Sequence, residues 1–392
     1  MGLSVIRAAT FIDVLRTCQV RLVVNVARKL KSDKALFVAT ILLVCVSVVM
    51  VYSASAHLGR QLHDDPYHFL VRQGLWAMLG VAIMAVAMRI DYRTYKNEAL
   101  IWTILAAVGV LLVAVLFLGD EVNGARRWLG FKSLRFQPSE LAKIACILFA
   151  ALMLDRRMHR INEISYSLLP IGIVTVVMAG LIAVEPDAGT AMSVLLVVSI
   201  MVFSTGLSYR YLAGLALVGI PAVLVYVLSA DYRRDRVRAW LDPWAFRQDE
   251  GFQVIQSFLA IGSGGVFGVG LTEGLQKRFY LPEPHNDFIY AVVGEELGLI
   301  GTTAVLLCFC VIVWRGLQVA LKAEDRFGSL VALGITMMIA VQAFVNISVV
   351  LGLLPAKGIP LPLMSSGGSS LVVSLLAIGI LLNISQHESA DA

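Results

Sequence analysis

Charged side chains are scarce in this chain. Asp, Glu, Lys and Arg make up only 15% of its 392 residues, while 58% are hydrophobic. A soluble globular domain carries roughly 25% charged residues, so a water-facing surface of ordinary size is excluded. Cysteine is scarce too. Cys18, Cys45, Cys146, Cys308 and Cys310 fall in a basic N-terminal segment or inside apolar runs, which argues against a structural disulfide and leaves no pair with zinc-ligand spacing. No small-residue cleavage site accompanies the apolar run that begins at Ala35, so no cleavable signal is expected. The glycine run 262–270 lacks the Gly-Lys-Ser/Thr ending of a nucleotide loop. Without an ATP site, any synthetic reaction must be driven by a substrate that carries its own leaving group. The pI near 9.0 does not point to nucleic acid, because the basic residues are scattered between apolar runs, as positive-inside bias would scatter them.

Long apolar runs dominate instead. A bilayer core of roughly 30 Å needs about 20 apolar residues at 1.5 Å rise each. Ten runs qualify as transmembrane helices: 35–55, 69–88, 99–118, 138–154, 166–185, 188–206, 211–230, 288–314, 328–350 and 367–385. The fold class is therefore all-α and polytopic. Residues 1–34 form a basic segment, 35–385 the membrane domain with a long loop at 231–287, and 386–392 a short tail. The stretch 252–270 is apolar but broken by Gly262, Gly264, Gly265, Gly268 and Gly270, which suits a re-entrant or surface-lying piece. Arg7, Arg16, Arg21, Arg28, Lys29, Lys31 and Lys34 share one side with Arg89, Arg93 and Lys96, with Arg156, Arg157 and Arg160, and with Arg315, Lys322 and Arg326. That side is expected to be cytoplasmic, with both termini on it.

The opposite face then holds residues 119–137, the Glu185-Pro186-Asp187 turn, the long loop, and 351–366. Two of these are basic: Arg126, Arg127, Lys132 and Arg135 in one, and Arg233, Arg234, Arg236, Arg238 and Arg247 in the other, followed by Lys277 and Arg278. A cationic vestibule suits an anionic substrate such as a lipid phosphate or diphosphate. Anionic membrane lipids are the plainer alternative.

Several carboxylates lie where a span should hold none. Glu140 and Lys143 are three apart on one helix face, either as a structural ion pair or on a substrate path. Asp187 sits where the fifth and sixth spans meet, a position from which it could cap the sixth. Glu283, His285 and Asp287 crowd the mouth of the eighth span. Asp287 could cap that helix, or the cluster could supply a general base beside an anion site. Glu295 and Glu296 lie two turns deeper and need partners, for which a bound cation and Lys143 are both candidates. Trp128 follows Arg126 and Arg127, as an interfacial anchor or a sugar-stacking surface. Lys357 to Ser370, with Ser365, Ser366, Gly367 and Gly368, opens the last span, and its hydroxyls and backbone N–H groups could bind phosphate there.

These residues carry a resemblance. Asn123-Gly-Ala-Arg-Arg-Trp-Leu129, Gln137-Pro-Ser-Glu-Leu-Ala-Lys143, Glu185-Pro-Asp-Ala-Gly-Thr190, Gly251-Phe-Gln with Gly262-Ser-Gly-Gly265, Leu281 to Gly298, and Lys357 to Ser370 occur in this order. From about 35 to 385 the chain resembles the SEDS family (shape, elongation, division and sporulation), and most closely its division branch. The resemblance implies a peptidoglycan glycosyltransferase that polymerises lipid II at the outer face of the cytoplasmic membrane, working at the septum with a class B penicillin-binding protein and other divisome membrane proteins. The family's essential acid falls on Asp287, in His285-Asn-Asp-Phe288, and its motif tryptophan on Trp128. Asn286 stands where Thr is usual and Ser366 where an aromatic is common. Gly294, Lys357 and the basic N-terminus favour division over the elongation branch. The departing diphosphate needs charge neutralisation, which basic residues of the outer loops or a divalent cation (Mg2+ or Mn2+) could supply. A lipid flippase is the rival from another class. Transporters usually place charge near the midplane and often contain repeats, whereas here the charged motifs crowd one face and no repeat is evident.

Overall fold

The structure, a computed structural model, describes residues 32–387 except 123–124, 132–133, 250, 278–280 and 282–283. The basic segment that precedes it, Lys132, Arg278 and Glu283 therefore lie outside the described residues. Each of the ten expected spans is a helix. They are α1 (Lys34–His63), α2 (His68–Ala87), α3 (Glu98–Leu118), α4 (Pro138–Arg157), α5 (Leu169–Val184), α6 (Ala188–Ser204), α7 (Tyr209–Leu228), α10 (Ile289–Lys322), α11 (Arg326–Val350) and α12 (Gly368–Ser385). Two further helices, α8 (Asp231–Leu241) and α9 (Phe252–Gly264), lie in the long loop. Among the described residues, seven helices are long and apolar enough to cross a membrane, and α6 is a shorter apolar one. The charged α4 and the Pro221-containing α7 complete the set.

Capping residues fix several helix starts. Asp33, Asn97, Asp187 and Asp325 accept hydrogen bonds from the first-turn N–H groups of α1, α3, α6 and α11, and Pro138 opens α4 where a missing N–H costs nothing. Burial sorts the spans into centre and rim. The apolar window of α12 is 83% buried and that of α2 only 22%, so α2 presents most of its side chains outward while α12 is enclosed. Leu217, Leu321, Phe117 and Leu118 are among the exposed large side chains, as expected of a surface that faces lipid instead of water.

One end of the bundle is tied by a polar network. The Asp33 N–H donates to Ser385 Oγ (3.1 Å), and the Tyr92 N–H donates to Asn383 Oδ1 (2.9 Å). Tyr92 Oη donates to Asp325 Oδ1 (2.7 Å), and Arg315 Nε to Asp33 Oδ2 (2.6 Å). The first and last described spans thus meet at the same end, as an even number of crossings requires. The other end carries the motifs. There residues 119–137, expected as a loop, include a small antiparallel sheet in the order β1 (Asp120–Val122), β2 (Ala125–Phe131), β3 (Leu134–Phe136). The strand-favouring Val122, Trp128, Leu129 and Phe131 account for it.

The glycine-broken stretch packs along a broken helix. After α9 the chain runs beside α10, which is itself interrupted at Gly298 (φ 64°, ψ −158°). Each segment supplies what the other lacks. Val269 and Gly270 N–H groups donate to the carbonyls of Glu295 (3.0 Å) and Glu296 (3.1 Å). Leu299 and Ile300 N–H groups donate to Gly265 (2.9 Å) and Val266 (3.2 Å). Broken helix backbone is tolerated in a membrane protein only where such partners exist. A Cβ on Gly298 would lie 2.4 Å from Gly268 N and 2.6 Å from Val266 O. Gly298→Ala is therefore expected to destabilise the detergent-solubilised protein by about 1–3 kcal/mol from backbone strain alone. An unchanged thermal midpoint would show that the two segments do not depend on each other.

A clamped acidic strip as the candidate active site

The His285-Asn286-Asp287 strip is held through three successive backbone carbonyls. His285 O accepts from Ser366 N–H (2.9 Å), Asn286 O from Ser365 Oγ (2.7 Å), and Asp287 O from Asn346 Nδ2 (2.7 Å). The Ser365 hydroxyl also accepts from Leu361 N–H (2.7 Å), and Asn346 Nδ2 also donates to Ile359 O (2.8 Å). The strip before α10 and the strip before α12 are therefore laced together. Phe69 packs on the buried His285 ring at 5.2 Å.

Helix α10 begins only at Ile289, with Phe288 at the N-cap position and no side-chain cap. The expectation that Asp287 might cap it is corrected: one residue too early, its carboxylate lies against Gly358 instead. A Cβ built on Gly358 would meet Asp287 Oδ2 at 2.8 Å, so a side chain there would press on the carboxylate. Lys357 comes next and runs over the first turn of α6, with Nζ 3.4 Å from Met192 Sδ and Cε 3.4 Å from a Cβ built on Gly189. Burial pushes its ammonium below the usual lysine range, Asp187 draws it back up, and Arg236 adds to the lowering.

Asp187 caps α6 through Thr190 N–H (3.2 Å) and accepts from Gln137 Nε2 with its other oxygen (3.1 Å). Arg127 ties β2 to the same turn, donating to the backbone carbonyls of Glu185 and Pro186. Trp128 is half-buried in that strand, and Arg126 is an exposed rim residue 3.7 Å from Glu121. Asp287 beside Gly358, Lys357 over the start of α6, and Asp187 with Gln137 and Arg127 around the Glu185-Pro186 turn thus lie at the same end of the bundle. Just inside, Glu140 and Lys143 form a buried ion pair at 2.8 Å.

Comparison with known proteins now bears on this arrangement. The family model described as "Cell cycle protein", FTSW_RODA_SPOVE, matches residues 33–390. The chain belongs to this family. It is 45% identical over 361 residues to a probable peptidoglycan glycosyltransferase FtsW of Geobacter sulfurreducens, covering 92% of this chain and 97% of that protein. It is 41% identical over 361 residues to stage V sporulation protein E of Bacillus subtilis, covering 92% and 98%. Among solved structures, a chain from work on structural coordination of polymerization and crosslinking by a peptidoglycan synthase complex superposes with a TM-score of 0.76 at 32% identity, covering 92% and 100%. The rod shape determining protein RodA of Thermus thermophilus gives 0.69 at 29% identity, covering 93% and 99%.

Several of the expected site residues also hold neighbouring segments in place. The lysine that meets the deep carboxylates is Lys277 and not Lys143. Lys277 pairs with Glu296, which Ser53 Oγ also contacts (2.7 and 2.6 Å), and Lys277 Nζ donates to Ser53 Oγ at 2.9 Å. Glu295 Oε1 accepts from Leu275 N–H (2.7 Å) and Gln276 N–H (3.0 Å). Lys143 is engaged with Glu140. Ser365 is likewise occupied in lacing the strips, and Gly368 gives way to the Trp76 ring, which a Cβ would meet at 2.3 Å. Ser366 and Gly367 stand beside these contacts at the start of α12, where Gly367 is the N-cap residue.

Two residues escaped the sequence reading. Asn346 looks like one more polar side chain in an apolar span, and Glu185 like part of a turn. Glu185 is wholly buried just beyond α5. Burial first, and then Asp187, push its carboxyl up to about 8, while Arg127 draws it down, so it is mostly protonated at neutral pH. Among the described residues no group of three or more His, Cys, Asp or Glu converges as metal ligands would. Lys357, Arg127 and Arg236 are cationic groups at hand among the described residues.

Lys277 and Glu296 are 5% and 0% exposed. Lys277→Met is expected to cost about 3–5 kcal/mol by stranding a buried carboxylate, and Lys277→Met with Glu296→Gln to recover most of that loss. A thermal-unfolding double-mutant cycle reads the difference; additive losses would show that the two side chains do not form a pair.

Proposed function

We propose that the protein is the peptidoglycan polymerase of a division-type synthase, joining lipid II units into β-1,4 glycan strands. Lipid II is a disaccharide-pentapeptide on undecaprenyl diphosphate, so it brings its own leaving group. The reading rests on the curated relatives named as peptidoglycan glycosyltransferases and, in this chain, on one juxtaposition. A carboxylate lies against the backbone of Gly358, next to the half-buried cation Lys357, on a strip that cannot drift.

The chemistry follows from that juxtaposition. Asp287 takes the proton from the 4-hydroxyl of the acceptor sugar as that oxygen attacks the anomeric carbon of the donor. The bond from carbon to the diphosphate oxygen breaks, and undecaprenyl diphosphate leaves with inversion. This leaving group needs charge neutralisation more than a proton. Lys357, next to Gly358, supplies it, and Arg127, held at the Glu185-Pro186 turn, adds to the same field.

The motif end faces outward in this proposal, because the other end carries Arg89, Arg93, Lys96, Arg156, Arg157 and Arg160. The partner that crosslinks the product is a class B penicillin-binding protein, and the site of action is the division septum. The solved neighbour described in terms of polymerization and crosslinking supports that pairing.

Asp287→Ala is expected to lower polymerisation of purified lipid II by about 10²–10⁴-fold, the usual contribution of a general base, while lipid II binding persists. The assay uses the detergent-solubilised protein with its cognate penicillin-binding protein and reads glycan ladders. Ladders of normal intensity from the variant would remove Asp287 from the mechanism. No ladders from either protein, with lipid II still bound by both, would turn attention to flipping.

A further inference from the structure

We propose that Asn346 is a positioning residue for the transfer reaction, setting the Asp287 strip against the Lys357-Gly358-Ile359 strip through its amide nitrogen; the proposal rests on the transferase reading above. The first observation is the double donation. Asn346 Nδ2 reaches Asp287 O at 2.7 Å and Ile359 O at 2.8 Å, joining two segments far apart in sequence at their point of closest functional interest. One of these carbonyls belongs to the proposed base. The other belongs to the residue that follows Gly358, against which that base's carboxylate lies.

The second observation is the orientation of the amide. Both partners are carbonyl oxygens, which only accept, so the nitrogen must face them. A flipped amide would set its oxygen against both. The oxygen is thereby fixed on the far side, where it is buried without a hydrogen-bond partner among the described residues. Asn346 is 1% exposed, so this orphaned acceptor is a standing cost. A leucine of similar shape would fill the space without it. The asparagine is thus poorly explained as packing and well explained as a donor to the two carbonyls.

The third observation is the platform. Asn346 lies near the end of α11, a span whose apolar window is 61% buried. The neighbouring carbonyls of His285 and Asn286 are held by Ser366 and Ser365, which belong to the same long loop as Ile359. Asn346 holds both strips at once to a single transmembrane helix. Loss of this contact would leave Asp287 in place chemically but free to shift, and a shift of about 1 Å can cost on the order of 100-fold in rate.

The test uses Asn346→Leu, which removes both donors at similar volume, and Asn346→Asp, which keeps the oxygen and size but puts a second acceptor against the carbonyls. In the polymerisation assay, kcat per folded molecule is expected to fall about 10- to 100-fold, with KM for lipid II changed by less than about twofold. Asn346→Gln, which keeps the amide, is expected to recover part of the loss. Independently of activity, amide hydrogen exchange in Asn346→Leu is expected to rise together in residues 285–288 and 357–361. If Asn346→Leu does not fold, the same two measurements are made on the milder Asn346→Ser. A folded variant with wild-type kcat, or with unchanged exchange in both strips, overturns the proposal. Failure of the wild type to make glycan would sink the transferase reading, while the exchange measurement would still decide the clamp.

Discussion

A backbone N–H or C=O buried away from water must find its partner inside the chain, and in a protein of this hydropathy that requirement shapes everything at the motif end. Ten helices satisfy it internally along their lengths. The segments between them do not, and each non-helical stretch that enters the bundle is paired with another. Residues 265–270 complete the interrupted α10, and α10 completes them. The His285-Asn286-Asp287 strip is completed by Ser366, Ser365 and Asn346. Irregular backbone here is a mutual arrangement, and the candidate base sits in one of its two instances.

The same economy applies to charge. An isolated ion in a span costs several kcal/mol, so carboxylates and ammonium groups deep in the bundle are consumed by one another: Glu140 by Lys143, Glu296 by Lys277 and Ser53. These pairs brace the site. Lys277–Glu296 fastens the segment that precedes the strip, and Glu295 fastens the backbone of Leu275 and Gln276. What remains for a substrate lies closer to the end of the bundle, with Asp287, Lys357, Asp187 and Arg127. A rigid surround for a small set of charged groups is what electrostatic catalysis needs, because the groups need not reorganise when charge develops.

Rigidity has a further consequence for a polymerase. The acceptor hydroxyl and the donor's anomeric carbon must meet a base whose position is fixed relative to the cation that receives the leaving group. Asp287 and Lys357 belong to strips separated by the whole of α10 and α11. Their registry therefore depends on cross-links between strips, among them the Ser366 N–H on His285 O, the Ser365 hydroxyl on Asn286 O and the Asn346 amide on Asp287 O and Ile359 O.

The sequence by itself determined the spans, the crowding of motifs at one end, the cap at Asp187 and the identity of the charged residues. Apolar run length and cap chemistry are local properties, readable within a window of about 20 residues. It also offered the Glu140–Lys143 pair, because residues three apart on a helix are neighbours. Only the tertiary structure decided that Glu296 belongs to Lys277, that Asp287 faces Gly358 instead of capping α10, and that Gly298 breaks a helix that residues 265–270 repair. It alone showed that Asn346 lies between two strips. Each of these depends on which distant segments are brought together. Pairing across the bundle is fixed by the joint satisfaction of buried polar groups, and no single window of sequence contains both halves of that account.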